Sequence, residues 1–271
     1  MFDEVFSDLL LRDIRRNWPG LGYFVGEIPG NYTCSVPQFV GETDSPWKRF
    51  TFQILPAFLV GVLSGFAELI EKKFPGERKF SLSNYSLMQS EGSYGGHDVH
   101  THHYHDPTWV LTILVYLDPE NNGHEGTTVM KVRDGLDESE VAAQTLNWHD
   151  LTEELKTIDY KAGRAFAFFE TPISFHKVKP SRKGALFGRR ILRFHITANP
   201  DHCQRLYGVD LETYQKKRQT PSKDPEVLEW MKKDIDLMKS PIVLMTREER
   251  EKWASEVVVF LPAGPNGEVK T

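Results

Sequence analysis

The chain has 271 residues, of which 39% are hydrophobic and 26% charged, with 17 phenylalanines, enough apolar material for one large domain. A net charge of -5 and a pI near 6.1 argue against a general nucleic-acid or anionic-membrane binder, which needs a basic face. The two cysteines, Cys34 and Cys203, are far apart and in no paired motif, so a zinc ribbon is excluded and reduced thiols are expected.

Taken in chain order, residues 2–17 carry Phe2, Val5, Phe6, Leu9, Leu10 and Ile14 at helical spacing, which predicts a short amphipathic helix. Acidic residues precede the apolar ones and no long apolar run follows, so this start does not read as a signal peptide. Residues 18–46 are rich in Gly and Pro and read as loop with room for one short strand. Pro56 can open a second helix, because its missing N–H costs nothing in a first turn, and Pro75-Gly76 stops it. The apolar stretch from Ile54 to Ala67 is broken by Pro56, Gly61, Ser64 and Gly65 and is too short to span a bilayer. A soluble, cytoplasmic protein is expected.

From Phe80 onward, short runs of strand formers alternate with turns: Phe80–Gln89, Trp109–Leu117, Thr127–Val132, Ala165–Glu170 and Arg190–Thr197. Asn121-Asn122-Gly123 and Ala162-Gly163 supply turn chemistry between them. This texture predicts a mainly β fold with flanking helices, an antiparallel sandwich or double-sheet jelly roll rather than βαβ units. The acidic residues 137–156 suit a helical excursion or a lid. Helix is expected again after Asp201, over Asp224–Met238 and Thr246–Trp253. One domain is expected overall: 1–79 packs on a core of 80–200, and the helical extension 201–271 is a candidate interface for a homodimer.

The densest chemical signal is Gly95-Gly96-His97-Asp98-Val99-His100-Thr101-His102-His103-Tyr104-His105-Asp106-Pro107, which holds half of the chain's 10 histidines. Neutral imidazole is the commonest metal ligand, so such a cluster points to a transition-metal site. On an extended strand, residues two apart share a face, so His103 would project with His105, and His100 with His102. A further ligand must come from another strand. His176, in Ser174-Phe175-His176-Lys177-Val178, follows the strand after Tyr160-Lys161-Ala162-Gly163, and Gly188-Arg189-Arg190-Ile191-Leu192-Arg193-Phe194 comes next. No G-x-S-x-G elbow and no phosphate-cradling G-x-x-x-x-G-K-[ST] occurs.

In this order of pieces, over roughly 80–200, the sequence resembles the iron(II)- and 2-oxoglutarate-dependent oxygenases, in particular their prolyl-hydroxylase-like branch. That family carries H-x-D, a strand ending in Tyr-Leu, a Gly-rich turn, a second His, then Arg or Lys. Trp109 to Asp118 looks like the strand, Gly123-His124-Glu125-Gly126-Thr127-Thr128 like the turn, and His176 like the second iron ligand. The resemblance implies a double-stranded β-helix (cupin-like), Fe(II) and 2-oxoglutarate as cofactors, and O2 with a small-molecule or amino-acid substrate. It implies Arg189 or Arg190 as partner of the far carboxylate of 2-oxoglutarate, since a planar guanidinium can bind both oxygens. Tyr85 lies where family members often place a hydroxyl near the keto acid. Leu192 and Phe194 share a face with Arg190, which favours Arg190 as the inward one; Arg189 shares a face with Arg193 and His195, which suits a polar pocket wall.

One departure stands out. Counting back from Tyr116 without gaps puts the family's first His at His103 and its Asp at His105, so the motif reads H-x-H. Three ligand sets follow: His103, His105 and His176; His103 with Asp106 re-aimed by a bulge; or a set beginning at His100 or His102 with Asp98 involved. Two rival functions remain beside the oxygenase: a three-histidine cupin-type dioxygenase needing no keto acid, and a non-catalytic metal-binding sensor.

Overall fold

In the computed structural model the strands among the described residues all pair antiparallel, in two sheets. The structure describes residues 1–28, 30–35, 46–76, 78–90, 95–103, 109–119, 126–143, 148–180, 189–198, 242–243, 248–249 and 252. The larger sheet runs β1 (Val25–Ile28), β2 (Asn31–Ser35), β3 (Lys79–Ser90), β10 (Arg190–Thr197), β5 (Trp109–Tyr116) and β8 (Ala165–Phe169), with β11 (Ile242–Val243) also on β3. The smaller runs β4 (His97–His100), β9 (His176–Val178), β6 (Thr127–Val132) and β7 (Thr152–Thr157). Setting aside the additions β1, β2 and β11, the remaining strands cross between two sheets in double Greek-key order. This is the jelly-roll alternative that the strand texture predicts, and the double-stranded β-helix that the resemblance implies.

Alternation along β10 shows how the layers are filled. Ile191 packs between the sheets with Leu114, Tyr116, Ile158, Tyr160 and Phe166. Leu192, Phe194 and Ile196 face the other way, into the main apolar core under the helices. That core is built by helix α1 (Asp8–Arg16) and the helices Leu55–Gly65 and Ala67–Lys73, which bury Leu11, Ile14, Leu59, Leu63 and Ile70. Phe58 meets Phe194 at 5.8 Å between ring centroids. A fully buried side chain of this kind contributes roughly 1.5–3 kcal/mol.

The N-terminal expectation changes. The helix begins at Asp8, where Ser7 caps it by accepting from Leu10 N at 3.3 Å, with Asp8 in the first turn and Arg15 and Arg16 in the last. Phe2 instead forms a β-bridge on the edge strand β8, through bonds of 2.9 and 2.8 Å to Ala165. The backbone pairing open at that edge outweighs the helical spacing of Phe2 and Val5. The second helix also starts earlier than Pro56: helical backbone begins at Pro46 and passes through a π-turn, Phe50–Ile54, before Leu55–Gly65.

Residues 137–156 hold helices Glu138–Ala143 and Trp148–Leu151 and then strand β7, where the acidic sequence gave no strand signal. β7 lies at the sheet edge with most of its side chains exposed, so its residues are charged rather than alternating. Glu153 pairs with Lys131 at 2.8 Å, and Glu154 with Lys177 at 2.8 Å and Lys179 at 3.1 Å. Cys34 is buried. Cys203, the turn Asn121-Asn122-Gly123 and the expected helix Asp224–Met238 lie outside the described residues, as does most of Thr246–Trp253. Among the described residues, no helix is long and apolar enough to cross a membrane.

Candidate metal centre

The pairing of β4 with β9 places His100 directly opposite His176. β4 reaches that register through Gly96, whose φ is +90° and whose missing Cβ would lie 2.6 Å from Val178 O. Only glycine lets the two backbones approach this closely in that conformation. The chain leaves β4 at His100, and Thr101 anchors the next turn by donating to Thr171 O at 3.1 Å. His102 is thereby brought back to the other two, and ligand atoms of His100, His102 and His176 lie within 4.8 Å of one another. Ring centroids are 4.2 Å apart for His100–His176, 4.7 Å for His102–His176 and 5.2 Å for His100–His102.

The hydrogen bonds behind the rings define which nitrogen of each is available. His100 Nδ1 donates to Asp98 O at 2.7 Å, and His176 Nδ1 to Ser174 O at 3.1 Å. A carbonyl oxygen can only accept, so each Nδ1 carries the proton and each Nε2 keeps its lone pair. His102 Nδ1 meets the carboxylate of Glu170 at 2.8 Å, with the same consequence. With Nδ1 protonated in all three rings, Nε2 is the nitrogen each can offer to a cation of nitrogen preference. Burial first, then the neighbouring histidines, lowers the pKa of His100 well below its usual value and that of His176 to about 3, keeping both neutral.

Of the residues expected as ligands, His176 belongs to this group, as do His100 and His102 of the third ligand set. His103 is buried beside it, its backbone N–H donating to Thr101 Oγ1 at 3.3 Å, but the converging set comprises His100, His102 and His176. Among the described residues this set starts three residues before the ungapped count from Tyr116, because cross-strand register places His100, not His103, opposite His176. Asp98 enters only through its backbone carbonyl, its side chain being exposed. His105 and Asp106 lie outside the described residues.

Glu170 is the residue that sequence reasoning passed over. It is fully buried and also accepts from Thr112 Oγ1 and, at 3.3 Å, from Ser174 Oγ. Desolvation raises its pKa, opposed by His176 and by its hydrogen bonds. The signal was present: Glu170 continues the i, i+2 face of Phe166 and Phe168, and Phe168 lies 4.8 Å from His176. A carboxylate on a buried strand face is seldom idle.

The two arginines are placed on opposite faces, and the apolar neighbours misdirect the choice between them. Arg190 turns to the helix side and pairs with the buried Asp118, with Nε at 2.8 Å from Oδ1. Arg189 turns between the sheets, where its guanidinium lies 5.6 Å from the Tyr116 ring and 5.7 Å from the Tyr160 ring. It is buried, and its Nε and Nη2 have no hydrogen-bond partner. Expecting the apolar face of β10 to point at the site is therefore corrected: Leu192, Phe194 and Ile196 enter the main apolar core under the helices, while the other face carries Arg189 and His195 beside the smaller apolar cluster between the sheets. Tyr85 is corrected for the same reason, since it stacks on Phe194 at 4.9 Å and meets Phe50 in the helix-side core.

The site residues present fit iron(II) and an anionic cosubstrate: three neighbouring imidazoles of borderline softness, and a buried guanidinium with no counter-ion among the described residues. No family profile matches the sequence, and no curated protein matches it. Solved structures similar to this chain include a prolyl hydroxylase from Trichoplax adhaerens in complex with a hypoxia-inducible factor oxygen degradation domain peptide fragment (TM-score 0.49, 13% identity, 72% of this chain and 81% of that one). A 2OG-Fe(II) oxygenase family oxidoreductase from Burkholderia pseudomallei (TM-score 0.45, 11% identity, 71% and 80%) is similar. So is a prolyl-4-hydroxylase from Pseudomonas putida (TM-score 0.46, 13% identity, 73% and 91%).

Proposed function

We propose that the protein is a non-haem iron(II)- and 2-oxoglutarate-dependent dioxygenase that oxidises a small molecule or an amino-acid side chain. The observation that carries this reading is Arg189. A guanidinium buried without a partner costs several kcal/mol unless an anion completes it. The double-stranded β-helix supplies no such anion among the described residues, so the counter-ion is expected from a ligand. The distal carboxylate of a keto acid, bound by the two free donors Nε and Nη2, meets that need.

In this reading His100, His102 and His176 hold the iron through Nε2. Iron(II) with a bound keto acid and O2 supplies oxidative decarboxylation coupled to oxidation of a substrate carbon. The chain's own contribution is position and shelter. Asp98 O, Ser174 O and Glu170 aim the three rings. Arg189 orients the keto acid along the space between the sheets, while Phe166, Phe168, Leu114 and Ile191 exclude water beside it. The rival without keto acid leaves Arg189 uncompensated, and the non-catalytic sensor gives it no role.

The test is anaerobic calorimetry of 2-oxoglutarate into the iron(II)-loaded protein, followed by succinate release in air. Binding that depends on both iron and Arg189 supports the reading. Iron-dependent O2 uptake in the absence of any keto acid would overturn it.

A further inference from the structure

The three-histidine group lacks the carboxylate that the H-x-D pattern would place at position 102, and a carboxylate lies directly behind the histidine found there. We propose that Glu170 is a positioning residue for the metal centre: it fixes His102 as an Nδ1–H donor and supplies, through that ring, the negative charge absent from the ligand set. The proposal rests on His100, His102 and His176 being the metal ligands.

The direction of the hydrogen bonds supports it. An ionised carboxylate can only accept. Glu170 accepts from His102 Nδ1 at 2.8 Å, from Thr112 Oγ1, and from Ser174 Oγ at 3.3 Å. Thr112 spends its single proton on Glu170, so its oxygen must accept from His195 Nδ1, 2.8 Å away. His195 is held flat against Trp109, ring centroids 3.8 Å apart and 8° from parallel. The chain His195, Thr112, Glu170, His102 is thus ordered donor to acceptor from the β10 side and from the ligand side, and it converges on one carboxylate. Glu170 and Thr112 are fully buried and His195 nearly so, so this carboxylate is not a solvated surface charge that happens to touch a histidine. A carboxylate accepting from a ligand histidine raises that ring's basicity and locks its orientation, and loss of such a partner typically weakens metal binding 10–100-fold.

The experiment is cobalt(II) titration of the full chain, reading affinity and the visible absorption of the bound ion. The wild type is expected to bind one cobalt(II). Glu170→Gln, which preserves shape but removes the charge, is expected to bind roughly 10–100-fold more weakly and with a shifted absorption. His102→Asp places a second carboxylate against Glu170 and is expected to bind poorly, whereas His102→Asp with Glu170→Gln regains at least tenfold over the single change. Unaltered affinity and absorption in Glu170→Gln, or no recovery in the double variant, overturns the proposal. A Glu170→Gln loss as complete as that of His176→Ala also overturns it, by making Glu170 a direct ligand. Failure of the wild type to bind any metal is the separate failure of the metal-centre reading.

Discussion

Arg189 and Arg190 are adjacent in the chain and have opposite electrostatic lives: Arg190 is neutralised by Asp118, while Arg189 is buried with Nε and Nη2 unmatched. Strand alternation forces this, because consecutive side chains leave a sheet on opposite faces. The pair therefore separates a structural cation from one kept for a ligand.

Arg189→Ala is expected to weaken 2-oxoglutarate binding by roughly 100-fold, the order of two charge-assisted hydrogen bonds. Its unliganded stability is expected not to fall, since an unpaired buried charge is removed. Arg190→Ala is expected to do the reverse. It leaves Asp118 buried and uncompensated, at about 3 kcal/mol, with 2-oxoglutarate affinity of the folded protein little changed. Calorimetry and chemical denaturation on the two variants decide between them.

Iron(II) stoichiometry distinguishes the ligand sets. His100→Ala and His176→Ala are each expected to abolish stoichiometric binding, and His103→Ala to retain it. A metal-free His103→Ala protein with native circular dichroism would return the centre to a set that includes His103.

Gly96 is expected to act on the metal from outside the ligand set. Gly96→Ala demands a positive φ from an alanine and drives its Cβ into Val178 O, a backbone atom that cannot swing away. A destabilisation of about 2 kcal/mol or more is expected, together with weaker iron(II) binding, because the same contact sets His100 opposite His176. Denaturation and metal titration on one preparation read both.

The N-terminal bridge carries a pH signature. Asp3 bonds Arg164 at 2.6 and 2.9 Å, which, as the leading cause, lowers its pKa from 3.8 to about 2. A carboxyl depressed in the folded state adds stability above its unfolded pKa and loses it as pH falls toward 2. Asp3 is part-exposed, so screening holds the contribution to no more than about 1 kcal/mol. The wild type should exceed Asp3→Asn in stability at pH 7, with the difference shrinking below pH 4 and with added salt.

Some of this was legible in the residues. β6 and β10 begin and end where their strand formers do, and β3, β5 and β8 differ from their expected ends by a residue or two. Buried strands write themselves in Val, Ile, Leu and Phe because both faces are covered. β7 did not, because an exposed edge strand carries charge instead. The local sequence also announced histidines, a late His176 and paired arginines. It did not say which of them meet.

Composition and period are local properties, so the residues alone dictate a mainly β fold and concentrate imidazole nitrogen on one short run. Three-dimensional packing sets the rest: among the described residues His100 and His102 gather with His176, Arg189 rather than Arg190 turns between the sheets, and Glu170 stands behind His102. Those are matters of cross-strand register and of which sheet face is covered by helices. Each is fixed by residues far away in the chain: Val178 against Gly96, Phe58 against Phe194, Asp118 against Arg190.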